Sequence, residues 1–115
     1  MNRVNLIGRL TKKAEIRFTE KDTPVASFTL AVPKKKEEAD FINCVAWDRL
    51  AEIIEKYTDK GKQIAIEGKI QTRNWQDENG NKHYTTEIVV DNLELLGNKV
   101  EDTTDEINDP NELPF

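Results

Sequence analysis

Cysteine and histidine are almost absent: the 115-residue chain has one of each, Cys44 and His83. A single cysteine excludes an intramolecular disulfide and points to a reducing compartment. One Cys and one His cannot fill a Cys/His zinc site, and His83 has no visible catalytic partner. Long apolar runs are missing as well. No stretch approaches the ~20 residues of a membrane span, and the start lacks the apolar core of a signal peptide. There is no glycine-rich phosphate cradle, no Walker motif and no HExxH. The adjacent carboxylates Glu37-Glu38 and Asp77-Glu78 lie in polar turns, where neither can be desolvated as general-acid chemistry requires. At this length there is no room for a two-domain enzyme with a cleft between its halves. We therefore expect no enzyme, no metal and no cofactor.

What is present is charge, unevenly placed. The formal net charge is −5, from 22 acidic and 17 basic residues. Six of the acids, Glu101, Asp102, Asp105, Glu106, Asp109 and Glu112, follow Val100 in a stretch without a single Lys or Arg. The first 100 residues then hold 16 acids against 17 bases. A near-neutral body with an acidic end does not exclude a polyanionic partner for the body, whatever the total suggests. So acidic an end cannot bury enough apolar surface to offset its ordering entropy, and we expect it disordered.

The body alternates in the manner of strands. Val4, Leu6 and Leu10 alternate with Arg3, Asn5, Ile7 and Arg9, with Gly8 marking a bend. Residues 11–17 read as a turn and a short extended return ending in Phe18. In residues 25–32, Ala26, Phe28, Leu30 and Val32 share one face, with Ser27 and Thr29 opposite. Residues 41–47 split into Phe41, Asn43, Val45, Trp47 and Ile42, Cys44, Ala46. A helix follows, with Asp48 as N-cap, Leu50, Ile53, Ile54 and Tyr57 as its apolar stripe, and Gly61 as the residue after its C-cap. The next strand puts Ile64, Ile66, Gly68, Ile70 and Thr72 on one side and Lys69, Gln71, Arg73 and Trp75 on the other. Asn79-Gly80 signals a hairpin, and a last strand runs from residue 83 through Leu95. Strands with one helix between the third and fourth follow the order of the OB-fold, a five-stranded Greek-key barrel. We expect an all-β OB-fold over residues 1–97 and a disordered acidic tail over residues 98–115.

Aromatic residues are few, 7% of the chain, so their placement is informative. Phe41 and Trp47 share a strand face with Asn43, and Trp75 shares one with Lys69 and Arg73. Aromatic rings interleaved with cations suit single-stranded nucleic acid: each base offers a π-face to stack, and each phosphate asks for a positive charge. The pattern equally allows Phe41 and Trp47 in the barrel core and Trp75 as a cross-strand prop. Against the core reading, Ile42, Cys44 and Ala46 already supply an apolar face. Tyr57 falls on the helix stripe, where core packing is the default. Lys34-Lys35-Lys36 reads as a solvated loop, and Cys44 as an inert small hydrophobe.

The stretches NRVNLIGRLTKKAEIRF, TPVASFTLAVP, ADFINCVAWDRLAEIIEKYTDKGKQIAIEGKIQTRNW, YTTEIVVDNLELLG and DPNELPF resemble the bacterial and phage single-stranded DNA-binding proteins. The resemblance covers residues 2–97 and 107–115. It implies a sequence-independent ssDNA-binding protein that coats and protects ssDNA in replication, recombination and repair, without catalysis. Base stacking would fall to Phe41, Trp47 and Trp75, with Phe18 and Tyr57 at further aromatic positions of the family. Phosphate contacts would fall to Arg3, Arg17, Arg49, Lys60 and Arg73. Asp109, Glu112, Leu113, Pro114 and Phe115 would form a partner-binding tip for replication, recombination and repair proteins. The resemblance also implies a homotetramer, with the first strand pairing across a two-fold axis and the region around Gln63 joining dimers. A bacterial cytoplasmic, nucleoid-associated setting follows, for a chromosomal, phage or plasmid copy.

Two departures from the family pattern stand out. The connection from residue 33 to residue 38 is short and lacks the aromatic of the longer family hairpin, so one stacking platform is missing and lysines offer charge instead. The segment between Asn98 and Asn108 is short where family members often carry long Gly/Gln-rich linkers, which argues against strong cooperativity along DNA.

Overall fold

The computed structural model describes residues 1–97. Its elements are β1 (Val4–Leu10), β2 (Glu15–Phe18), β3 (Pro24–Pro33), β4 (Ala39–Trp47), α1 (Arg49–Tyr57), β5 (Gln63–Gln76) and β6 (Lys82–Leu95). The strands form one sheet in the order β1-β5-β6-β4-β3-β2, and β1 also pairs with β3. That second pairing closes a circuit of five strands, and β2 is left on the edge of β3. The architecture is the expected OB-fold, with α1 between the third and fourth strands of the closed circuit. The extended return ending in Phe18 is a short strand of its own, outside the circuit.

Closure depends on β3 changing partners along its length. Its first half pairs with β2, from Phe18↔Pro24 to Glu15↔Ser27. Its second half meets β1 at Leu10↔Leu30 and Arg9↔Ala31. Beside that seam a Cβ on Gly8 would lie 2.5 Å from the Ala31 carbonyl oxygen, so only glycine lets β1 come this close. On the other side of β1, strand β5 runs antiparallel from Arg9↔Gln63 to Val4↔Gly68. The long β5–β6 ladder slips by one residue where Glu67 faces Asn92 but Gly68 faces Val90. A Cβ on Gly68 would run into the Val89 carbonyl oxygen, so the bulge and the glycine belong together.

Alternation decides what fills the barrel. Ala26, Phe28 and Leu30 of β3, Cys44 and Ala46 of β4, Ile64 and Ile66 of β5, and Ile88 and Val90 of β6 form one buried cluster with Leu10. Each large side chain fully removed from water contributes about 1.5–3 kcal/mol. From α1 the cluster receives Ala51 and Ile54, both fully buried. Leu50 packs partly against it. The expected stripe is corrected at its end: Tyr57 is 57% exposed. α1 ends at Tyr57, and Thr58, in extended backbone, is its C-cap. The Thr58 hydroxyl donates to the Ile54 carbonyl at 2.6 Å. Gly61, expected just after the C-cap, instead takes its positive φ of 85° in the turn that leads to β5. Asp48 does occupy the N-cap position, but its side chain caps nothing and its backbone sits at φ 57°, ψ −124°.

Ile70 departs from its expected face partners as well. Ile64 and Ile66 are buried, whereas Ile70 is 49% exposed. β1 pairs with β5 only as far as Gly68, so beyond it β5 has no strand on that side and Ile70 meets solvent, while its partner Ile88 on β6 stays in the core. The tip of the β5–β6 hairpin spans residues 77–81, where the Gly80 N–H donates to the Asp77 carbonyl and the Asp77 N–H to the Asn81 carbonyl, both at 3.0 Å. Gly80 supplies the left-handed residue of that turn at φ 82°. Residues 98–115, including the expected tail and its tip, lie outside the described residues.

Candidate nucleic-acid interface

The outward parity of five strands makes one continuous surface. Register places Glu15 and Arg17 of β2 opposite Ser27 and Val25 of β3. Those two face Val45 and Trp47 of β4, with Thr29 opposite Asn43. β4 joins β6 through its parallel pairing at Val45↔Val89. On β6, Glu87 and Thr85 face Gln71 and Arg73 of β5. A depression of about 380 Å³ is lined by Arg17, Phe18, Trp47, Gln71, Arg73 and Glu87. A neighbouring one of about 260 Å³ is lined by Lys12, Thr29, Asn43, Arg73, Thr85 and Glu87. Ser27, Arg73 and Glu87 line both, so the two are parts of one groove.

The groove gathers Arg17, Phe18, Trp47 and Arg73 from the sequence-predicted set. Trp47 is 45% exposed and Phe18 64%, which resolves the core-or-surface question for Trp47. A large ring left this open on a strand face that no described element covers is available for stacking. Asp48 turns the chain directly after Trp47 in a backbone conformation that L-residues rarely adopt. Arg49 then starts α1, exposed and without an ion pair among the described residues.

Arg73 is held rather than free. Its Nε donates to Glu87 Oε2 at 3.0 Å, and Gln71 Nε2 donates to the same oxygen at 3.2 Å. The Glu87 side chain is 10% exposed and that of Arg73 53%. The buried carboxylate thus fixes one edge of the guanidinium, and the two terminal nitrogens point their donors elsewhere. A fork pre-oriented in this way loses less entropy when it meets an anion.

Trp75 lies two residues further along the same face of β5, opposite His83. The two rings stack at 4.4 Å between centroids with planes 19° apart. The Trp75 indole N–H donates to the Thr85 hydroxyl at 3.1 Å. His83 is fastened in turn to Asp77, with Nε2 and Oδ2 2.9 Å apart. The Asp77 side chain also accepts the N–H groups of Asn79 and Asn81. His83 above all, together with those N–H groups, holds the Asp77 carboxyl below the usual range. The cross-strand prop expected for Trp75 is therefore real, and it leaves the other ring face open at 44% exposure.

The remaining candidates lie elsewhere. Phe41 is 67% exposed. It shares its face of β4 with Trp47 but sits six residues away, roughly 20 Å along an extended strand. Tyr57 and Lys60 line a separate shallow depression with Lys13, Lys56 and Lys62, where Glu55 and Asp59 offset part of the charge. Arg3 is already paired: its guanidinium donates to Asp91 at 2.7 Å, and each group shifts the other toward its charged form. Lys12 and Glu87 were missed by sequence reasoning. Lys12 lies in a turn with no face to read. Glu87 was legible by parity, since it shares its face with Thr85 and His83 on the last strand. Cys44 belongs to the inner face; burial, with the nearby Glu87 charge, pushes its thiol up to about 12.

The first 96 residues match the model of the single-strand binding protein family. The chain belongs to that family. Its relatives include "Single-stranded DNA-binding protein 2" of Streptococcus pyogenes serotype M18, 46% identical over 102 residues that make up 84% of this chain and 63% of the relative. The "Single-stranded DNA-binding protein" of Lactiplantibacillus plantarum is 43% identical over 107 residues, covering 88% of this chain and 54% of the relative. "Single-stranded DNA-binding protein 2" of Listeria monocytogenes is 42% identical over 113 residues, covering 90% and 71%. The chain thus spans about three fifths of the length of the first two relatives. Among the described residues no helix is long and apolar enough to cross a membrane.

Proposed function

We propose that this chain binds single-stranded DNA without sequence reading and performs no catalysis. The observation that carries the proposal is the groove itself. One concave face holds Trp47, Phe18, Arg17 and the pre-oriented Arg73 together, and Trp75 continues it along β5. Rings stack on any base and cations follow the backbone, so such a surface tolerates every sequence. The groove is open and shallow, a form that suits a flexible strand and gives a rigid duplex few contacts. Residues 1–97 would be the DNA-binding domain. Phe41, Tyr57, Arg49 and Lys60 do not line this groove and would contribute only where the strand runs beyond it. Arg3 contributes least, because Asp91 already neutralises it.

Coating of ssDNA in replication, recombination and repair is carried over from the resemblance to the family. So is assembly as a homotetramer. Light scattering at micromolar concentration should give four times the chain mass, and a stable monomer would contradict that assembly. Residues 98–115 would be an acidic linker and tip. Asp109 and Glu112 next to Leu113, Pro114 and Phe115 combine negative charge with an apolar anchor, which suits a basic-rimmed pocket on a partner enzyme. Phosphate would repel this segment, so its removal should leave ssDNA affinity unchanged or slightly higher.

Fluorescence anisotropy with a labelled oligonucleotide tests the main reading. The single strand should bind far more tightly than a duplex of the same sequence. Equal affinity for the two would overturn it.

A further inference from the structure

Glu87 is an acid on the floor of a groove that is to receive a polyanion. Its Oε2 accepts from both Gln71 and Arg73. Its Oε1 has no hydrogen-bond partner among the described residues, and the side chain is nine-tenths buried. Glu87 lines both halves of the groove, and Oε1 is the carboxylate oxygen that Gln71 and Arg73 leave unused.

Glu87 and Arg73 are ion-paired at 3.0 Å, so the floor carries no net positive charge to hold a phosphate. A strand entering the groove must therefore keep its backbone toward the rim, near Arg17 and Lys12, and turn its bases to the floor. Once a base covers the floor, water leaves Oε1, and a buried acceptor without a donor is costly. The donors a base can bring are its N–H groups, and the exocyclic amino group of cytosine is one that carboxylates accept. Thymine is about the same size and stacks in the same way, but its one ring donor, N3–H, lies between two carbonyl acceptors, and O4 stands where cytosine presents N4–H₂. We infer that Glu87 Oε1 is a base-edge acceptor that favours cytosine over thymine at one position of the groove. This rests on the ssDNA reading above, and it adds a local bias of modest size to binding that otherwise tolerates any sequence.

Glu87→Gln inverts the group. Gln71 Nε2 and Arg73 Nε are both donors, so the amide oxygen must take the Oε2 place. The amide NH₂ then replaces Oε1, and an acceptor becomes a donor that suits thymine O4.

The test is the affinity of the full chain and of Glu87→Gln for oligo(dC), oligo(dT) and an oligo(dC) with every cytosine N4,N4-dimethylated. The dC-to-dT affinity ratio should fall about fivefold or more in the variant, the scale of one misplaced hydrogen bond. The dimethylated strand should bind the parent about fivefold or more weaker than oligo(dC), and the variant nearly as well as oligo(dC). A role confined to holding Arg73 would change the salt dependence of both oligonucleotides and leave the ratio alone. An unchanged ratio, or a parent indifferent to dimethylation, overturns the inference while leaving ssDNA binding intact. Should Glu87→Gln not fold, the dimethylated strand decides on the parent alone. A parent that binds none of the three strands refutes this inference together with the ssDNA reading.

Discussion

Trp75 meets solvent with one ring face, because His83 lies against the other at 4.4 Å and Thr85 holds the indole N–H. A ring fixed on one side is a platform that pays little entropy when a base arrives. Trp75→Ala should weaken ssDNA binding by about 1–3 kcal/mol with little change in thermal stability. Titration of the variant with oligo(dT) checks this, and parent-like affinity would remove Trp75 from the path. Cys44 gives a second expectation at this scale. Its thiol is buried and shifted to about 12, so little thiolate forms near neutral pH. A thiol reagent should label the native chain only at the rate of global opening and the denatured chain at once. The backbone of Asp48, at φ 57°, ψ −124°, yields a third. Glycine accepts that conformation freely, so Asp48→Gly should raise stability by about 1 kcal/mol in denaturant unfolding. The pairing of inward and outward residues on β3 and β4 was readable in the sequence, since each strand alternates cleanly. The roles of Glu87 and His83 were not, because each depends on a partner about a strand away in the fold: Arg73 for one, Trp75 for the other.

Among the elements, the β5–β6 hairpin carries the most function with the least core. Alternation located both strands, and Asn79-Gly80 located the turn. What alternation cannot report is where the barrel ends. Ile70 obeys the inward parity and still faces solvent, because β5 has by then run beyond its last pairing with β1. The end of α1 departs from expectation because Thr58 closes the helix on the Ile54 carbonyl three residues before Gly61, and Tyr57 is left outside. The tip of the hairpin depends on Asp77, whose carboxyl is held below its ordinary 3.8 by His83 first and by backbone N–H groups. A depressed carboxylate contributes fully above its unfolded value and loses that contribution as pH falls through the folded value. The tip should therefore loosen only below about pH 4, and the effect should be small because the group is exposed. Amide shifts of Asp77 to Asn81 followed from pH 6 to pH 2 report it, and a midpoint above the ordinary carboxylate value would contradict the assignment. At the other end of the hairpin, Gly68→Ala drives a methyl group into the Val89 carbonyl oxygen. It should cost about 3 kcal/mol in stability, as overpacking in a closed ladder does.

For the whole molecule, a closed five-strand circuit turns one face of its strands into the core, and the outward faces of β5, β6, β4 and β3, with the edge strand β2, form a continuous groove. Charge follows the same division. The first 100 residues are close to neutral and the excess of acid lies beyond Val100, so the protein as a whole is acidic while the groove offers Arg17, Arg73 and Lys12 against Glu15 and Glu87. Fold and strand faces were legible from one sequence because an OB barrel is built from alternation, a property each strand carries alone. The groove was legible only in part: Trp47 and Arg73 were named from separate strands, but their meeting with Arg17 and Phe18 depends on the order β5-β6-β4-β3-β2, which no local pattern encodes. Tryptophan fluorescence during titration with oligo(dT), repeated at several salt concentrations, tests the central claim most directly. Both tryptophans lie on the proposed path, so binding should quench them, and the affinity should fall with a log–log slope of roughly 0.7 per phosphate neutralised. Unchanged fluorescence with bound DNA, or an affinity indifferent to salt, would contradict the account.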